Sequence, residues 1–191
     1  MEDRIVTKRL HLRPFLLSDA NAIYTLCNDI EVARTTLLIP HPYSTDAAEA
    51  SILSNQAAFL NGTRYAFAIE SLMDACLIGS ISLIIDKQHK RAELSYWFGK
   101  AHWGQGYATE AASSIIHFGF ENLQLHRIWA ASMTKNINSI RVLLKMNMQY
   151  EGIFRQHILK WDDYEDVSFY GILKSEYKHT TTVDISKKLL S

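Results

Sequence analysis

No stretch of this sequence is apolar for long enough to cross a bilayer, and the charged start Met1-Glu2-Asp3-Arg4 lacks the apolar core of a signal peptide. The expected address is therefore the cytoplasm. Two cysteines, Cys27 and Cys76, are too few for a disulfide framework and read as buried thiols. The charges balance to a formal net of zero, so nothing points to nucleic acid or to an anionic membrane surface. Eight histidines show no metal-ligand spacing such as His-Glu-x-x-His, and no metal is expected. Repeats and low-complexity tracts are missing as well. What remains is 191 residues at 48% apolar content, enough for one soluble domain with a sizeable core.

Apolar and polar residues alternate in units of strand and helix. Leu10, Leu12 and Pro14 alternate with Arg9, His11 and Arg13, which predicts an edge strand ended by proline. Ser18 and Asp19 open a helix carrying Ile23, Leu26 and Cys27. Pro40, Pro42 and Tyr43 interrupt the chain, and Asp46, with Glu49 three residues on, starts a second helix that Asn61-Gly62 closes. A hairpin of Tyr65–Ile69 and Leu77–Ile85 turns around Asp74. A strand around Glu93, a helix from Tyr107, a strand over Arg127–Met133, a helix at Asn138 and two last strands follow. The pattern predicts an α/β fold with a mixed sheet and helices on its faces.

The most informative segment runs from Ala101 to Ala111. Gly104 and Gly106 permit positive φ and close backbone approach, so successive N–H groups can converge on phosphate oxygens, and the helix dipole adds to the attraction. Ala108, Ala111, Ala112, Ile115, Ile116 and Gly119 form one stripe at helical spacing, with small residues leading it. A P-loop is excluded because Tyr107 stands where Lys-Ser/Thr is needed, and a dinucleotide fingerprint lacks its third glycine.

The segments Ala92-Glu93-Leu94-Ser95-Tyr96-Trp97-Phe98 and His102-Trp103-Gly104-Gln105-Gly106-Tyr107-Ala108-Thr109-Glu110-Ala111 resemble the central motif of the GNAT acyltransferases, in their RimJ/RimL-type N-acetyltransferase branch. Thr7–Pro14, Asn136–Lys145, Glu151–Arg155 and Asp166–Tyr170 extend the likeness in order, from about residue 5 to 177. The resemblance implies a GNAT fold with a splayed sheet over residues 1–177, leaving 178–191 as a tail that reads as a loose terminus. It implies acetyl-CoA as co-substrate and a primary amine as acceptor, either a protein N-terminus of ribosomal type or a small molecule such as a polyamine or antibiotic. A non-catalytic acetyl-CoA-binding module is the reading from another class. A monomer or homodimer is expected.

By the same likeness, Gly104, Gln105, Gly106, Tyr107, Ala108 and Thr109 contact the pyrophosphate, with Trp103 in the leading place usually held by Gln or Arg. The main chain of Tyr96, Trp97, Phe98 and Gly99 pairs with the pantetheine, while the side chains of Trp97 and Phe98 read as core packing on alternate faces. Asn136 contacts the pantetheine arm. Leu143 stands where many relatives carry a tyrosine acid, and Ser139 matches the serine thought to serve instead, although Asn136, Asn138 and Ser139 are all good helix caps too.

Glu93 is the candidate base, with an ion pair to Arg91, Arg127 or another cation as the competing reading. Ile158 falls where relatives have an acidic residue proposed as a base, which leaves neighbouring His157 as a speculative base or a solvated strand residue. Asn147 can hold the left-handed turn after Lys145. Pro40–Tyr43, Trp161 and the acidic run Asp162–Asp166 are expected to border the acceptor mouth, the acidic run either attracting a cationic amine or forming a solvated hairpin tip.

Overall fold

A computed structural model describes residues 4–178, so residues 179–191 of the expected tail lie outside the described residues. The elements are β1 (Ile5–Val6), β2 (Leu10–Arg13), α1 (Ala20–Cys27), α2 (Ile30–Thr35), α3 (Thr45–Leu60), β3 (Arg64–Ser71), β4 (Leu77–Asp86), β5 (Arg91–Phe98), α4 (Tyr107–His117), β6 (Arg127–Met133), α5 (Ile137–Lys145), β7 (Gln149–Lys160) and β8 (Asp163–Leu173). The strands form one sheet in the order β1-β2-β3-β4-β5-β6-β8-β7. Among the described residues only β5 and β6 run parallel.

The strand period of two sorts side chains onto two faces. Phe67, Ile81, Leu83, Leu94, Phe98, Ile128 and Ala130 pack against Ala111, Ala112, Ile115 and Ile116 of α4 and Leu143 of α5. Ala66, Ala68 and Trp97 face the other way, against Ile23 and Cys27 of α1 and Ala48 and Ile52 of α3. The small stripe lets α4 lie close to the sheet. At Gly119 a Cβ would sit 2.8 Å from Ile128 and 3.0 Å from Leu83, so the stripe must end in glycine. α4 itself stops at His117 and widens into a π turn over Phe118–Asn122, which carries the stripe to that glycine.

Several expectations are corrected. β2 is not an edge, because two-residue β1 pairs along its outer side and takes the edge instead. The α3 cap is Ser44, whose hydroxyl accepts from the Ala47 N–H, and Asp46 falls in the first turn. Asp19 stands at the N-cap of α1 as expected, but its side chain makes no cap hydrogen bond. Its carboxylate takes both ends of the Arg13 guanidinium at 2.8 Å, and Arg13 also reaches Glu70. Helix α2 was not foreseen, although Asp29 caps it by accepting from the Glu31 N–H. Cys27 is buried, and burial pushes its thiol up to about 12. Cys76, expected buried, is exposed in the β3–β4 turn. Asn147 takes the expected left-handed conformation at φ 58°. No helix among the described residues is long and apolar enough to cross a membrane.

Candidate active site

Strands β5 and β6 pair only through Arg91, Ala92 and Glu93 against Arg127, Ile128 and Trp129. Beyond that row β5 stays with β4 and β6 with β8, so the two part. Where the next strand would lie, the Trp103 indole N–H donates to the Phe98 carbonyl at 2.7 Å and finishes β5 with a side chain. The parting opens a cavity of about 540 Å³. It reaches both faces of the sheet, because Arg64, Ser80, Ser82 and Glu93 line it from the α1–α3 side and Tyr96, Ser139 and Leu143 from the α4–α5 side.

Glu93, Trp97, Phe98, Gly104, Gly106, Tyr107, Ala108, Thr109, Asn136 and Ser139 all line this one cavity, whereas Gly99 and Gln105 do not. Gly99 is a packing glycine, where a Cβ would meet Leu26 of α1 at 2.4 Å. The Gln105 side chain turns outward to the Ala101 carbonyl. Trp97 and Phe98 pack into opposite cores as their alternation predicts.

Gly104 (φ 74°) and Gly106 (φ 81°) are both left-handed, and Gly106 is the N-cap of α4. A Cβ at Gly104 would touch nothing within 4 Å, so that glycine serves backbone conformation and open approach rather than packing. The first-turn N–H groups of α4 have no acceptor within the helix and sit at its positive end. Arg141 and Lys145 of α5 line the same cavity. These features fit a pyrophosphate.

Arg9 anchors the loop from β2, a role that no local sequence signal announced. Its guanidinium donates to Glu110 at 2.6 Å and to the Gln105 carbonyl at 2.9 Å, and lies 4.5 Å over the Tyr107 ring. Glu110 also accepts from the Arg9 N–H and the Thr7 hydroxyl. Burial pushes the Glu110 carboxyl up, but the hydrogen bonds from Thr7 and Arg9 outweigh it and hold it below its ordinary value. Arg9→Met is expected to raise KM for acetyl-CoA about tenfold with a smaller change in kcat, the loss of one charge-assisted anchor. Steady-state kinetics with the donor varied checks it.

Glu93 shares a cross-strand row with Ile84 and Arg64. The two arginines that could have claimed it are committed elsewhere, Arg91 to Asp86 at 3.0 Å and Arg127 to Glu151. Among the described residues Glu93 has no hydrogen bond or ion pair. Burial raises its carboxyl above the ordinary value, and the Arg64 charge opposes that rise.

Ser139 lies in the first turn of α5, its N–H donating to the Asn136 carboxamide at 3.1 Å, so the capping reading of Asn136 holds. The other end of that carboxamide donates to the Thr35 carbonyl at 2.9 Å and ties α5 to α2 across the cavity. The Ser139 hydroxyl sits 2.9 Å from the Tyr96 hydroxyl. Burial pushes the Tyr96 phenol up to about 12, against a smaller opposing effect of the Ser139 hydrogen bond. Leu143 is a core residue, 1% exposed. A tyrosine hydroxyl nevertheless reaches α5, from β5 instead. Sequence reasoning placed Tyr96 along the pantetheine and missed this bond.

None of the residues expected at the acceptor mouth, Pro40–Tyr43, Trp161 and Asp162–Asp166, lines the cavity, although the β7–β8 turn meets the segment after α2. The Lys160 ammonium donates to the Ile39 carbonyl at 2.8 Å, and the His41 and Trp161 rings meet edge to face. The acidic run is not simply solvated: Glu165 pairs with Lys135, and Asp166 accepts from the Gln156 N–H. His157 packs on Phe154 and Phe169 and does not line the cavity.

Residues 9–149 match the acetyltransferase (GNAT) domain model. The chain is 32% identical to the uncharacterized N-acetyltransferase p20 of Bacillus licheniformis, over 92% of this chain and 98% of that protein. It is 34% identical to the uncharacterized N-acetyltransferase YoaA of Bacillus subtilis, over 88% and 95%. The fold superposes on RimL, the ribosomal L7/L12 alpha-N-protein acetyltransferase solved in complex with coenzyme A, with a TM-score of 0.83 at 20% identity, covering 89% of this chain and 97% of that one.

Proposed function

The chain belongs to the GNAT acetyltransferase family, and we propose that it transfers the acetyl group of acetyl-CoA directly to a primary amine, with a protein N-terminal α-amine as the acceptor class. The observation that carries this is the cavity itself, where a left-handed glycine loop at a helix N-terminus, Glu93 on one sheet face and Ser139 on the other open into the same space. The acceptor class follows the similarity to RimL, a ribosomal L7/L12 alpha-N-protein acetyltransferase.

In this reading the pyrophosphate rests on the N–H groups of Gly104–Thr109, and the pantetheine runs along the free edge of β5. The amine enters from the α1–α3 face. An ammonium cannot attack, so Glu93 accepts its proton, directly or through one water. The nitrogen lone pair then adds to the thioester carbon, and a main-chain N–H of Tyr96–Phe98 on the free side of β5 receives the oxyanion, the Gly99 N–H being held by the Ile78 carbonyl at 3.0 Å. Collapse breaks the C–S bond, the thiolate leaves against the Ser139 hydroxyl, and it takes up the second amine proton to give CoA thiol. Holding both substrates in the gap supplies much of the rate.

The test is release of free CoA thiol with acetyl-CoA and a panel of peptides, polyamines and aminoglycosides. The proposal expects turnover with a peptide bearing a free N-terminus and none with the same peptide N-blocked. Turnover confined to polyamines or aminoglycosides would refute the acceptor class, and acetyl-CoA binding without turnover on any amine would favour a binding module.

A further inference from the structure

Arg64 opens β3 and lines the α1–α3 side of the cavity, two strand spacings from Glu93 in the same cross-strand row, about 10 Å between Cα atoms. It makes one hydrogen bond, from Nη1 to the Asn55 carboxamide at 3.2 Å. Its Nε is buried from solvent and has no partner. No carboxylate among the described residues forms an ion pair with it. Glu93 is the carboxylate whose charge it feels, without an ion pair between them, and a half-buried guanidinium with one neutral hydrogen-bond partner keeps donors that suit a planar anion. The other Lys and Arg side chains lining the cavity, Arg141 and Lys145, belong to α5 on the opposite face of the sheet, so Arg64 is placed away from the side proposed for the phosphates of the donor.

We propose that Arg64 is a specificity residue for the acceptor, and that the acceptor carries a carboxylate or phosphate a few atoms from its primary amine. The inference rests on the transferase reading above and adds an anionic group beside the primary amine, on a peptide or on a free amino acid. Glu93 takes the amine end and Arg64 the anionic end. A free α-amino acid offers this chemistry, and so does a peptide N-terminus with an acidic first or second residue. A polyamine or aminoglycoside does not, because its further ammonium groups would face the guanidinium.

The experiment compares matched acceptors: peptides with Asp or Asn at the second position, and a free amino acid against its amide, with spermidine as the cationic arm. The wild type is expected to favour the anionic member of each pair at least tenfold in kcat/KM, about one good charge-assisted contact. Arg64→Gln should abolish the preference by raising KM for the anionic acceptors, Arg64→Lys should keep part of it, and KM for acetyl-CoA should stay unchanged in both. Preference for the peptide pair or the amino-acid pair identifies the source of the anion. Equal rates within each pair, a preference that survives Arg64→Gln, or spermidine as the better acceptor would overturn this inference alone. No CoA release with any amine would overturn the transferase reading and this inference together.

Discussion

Glu93→Gln is expected to lower kcat/KM for the acceptor by about 10² to 10⁴, the range for losing a positioned general base. The amide keeps the shape of the side chain and its place in the Arg64–Ile84–Glu93 row. KM for acetyl-CoA should therefore hold. The pH profile separates a base from a merely structural residue. Glu93 must be ionised to accept a proton, and burial raises its pKa above the ordinary carboxylate value. Wild-type activity should therefore fall with decreasing pH at higher pH than an unperturbed carboxylate would produce. The variant should lose that limb and keep only the limb of the amine itself. Since Arg64 opposes the rise, Arg64→Gln should move the wild-type limb further upward. A glutamine variant within a few-fold of wild type, with the acid limb intact, would remove Glu93 from the chemistry.

Ser139→Ala is expected to lower kcat by about 10², the scale of losing one preorganised donor to a developing negative charge. Tyr96 enters through this residue. Burial pushes its phenol up to about 12, which favours keeping the proton on Tyr96 and suits it to holding a hydrogen bond rather than giving the proton up. Tyr96 is therefore expected to act by holding the Ser139 hydroxyl in place, the two hydroxyl oxygens lying 2.9 Å apart with either able to donate. Tyr96→Phe should cost about tenfold in kcat in the wild type and almost nothing in the Ser139→Ala background. Thermal stability of both single variants, measured alongside, shows whether the fold is retained. An undiminished Tyr96→Phe effect in the alanine background would mean that the phenol acts on the substrate directly.

The parts of the site that the sequence announced are those built within a few residues. The Gly104–Gly106 loop, the small stripe of α4 and the Asn147 turn each rest on local conformational preference, and each appears where spacing put it. Pairings set by distant strands were illegible. Arg9 and Glu110 are 101 positions apart, and Tyr96 and Ser139 are 43 apart. Whether Glu93 had a cation partner depended on where β7 returned, because that strand carries the Glu151 that occupies Arg127. The misread α3 cap shows a local limit too. Ser44 and Asp46 both suit a cap, and the structure uses the serine.

Direct transfer, the proposed course, needs no nucleophile on the protein. Cys27 is buried with a raised thiol pKa, Cys76 lies outside the cavity, and the partner of Ser139 is a neutral phenol rather than a base. Among the described residues no cysteine lines the cavity. Direct transfer, as proposed, requires both substrates to be present together. Initial velocities with acetyl-CoA and a primary-amine acceptor varied against each other test this directly, with mass spectrometry of the enzyme after acetyl-CoA alone. Intersecting lines and an unmodified enzyme are predicted. Parallel lines, with an acetylated protein that passes its acetyl group to the amine, would contradict it.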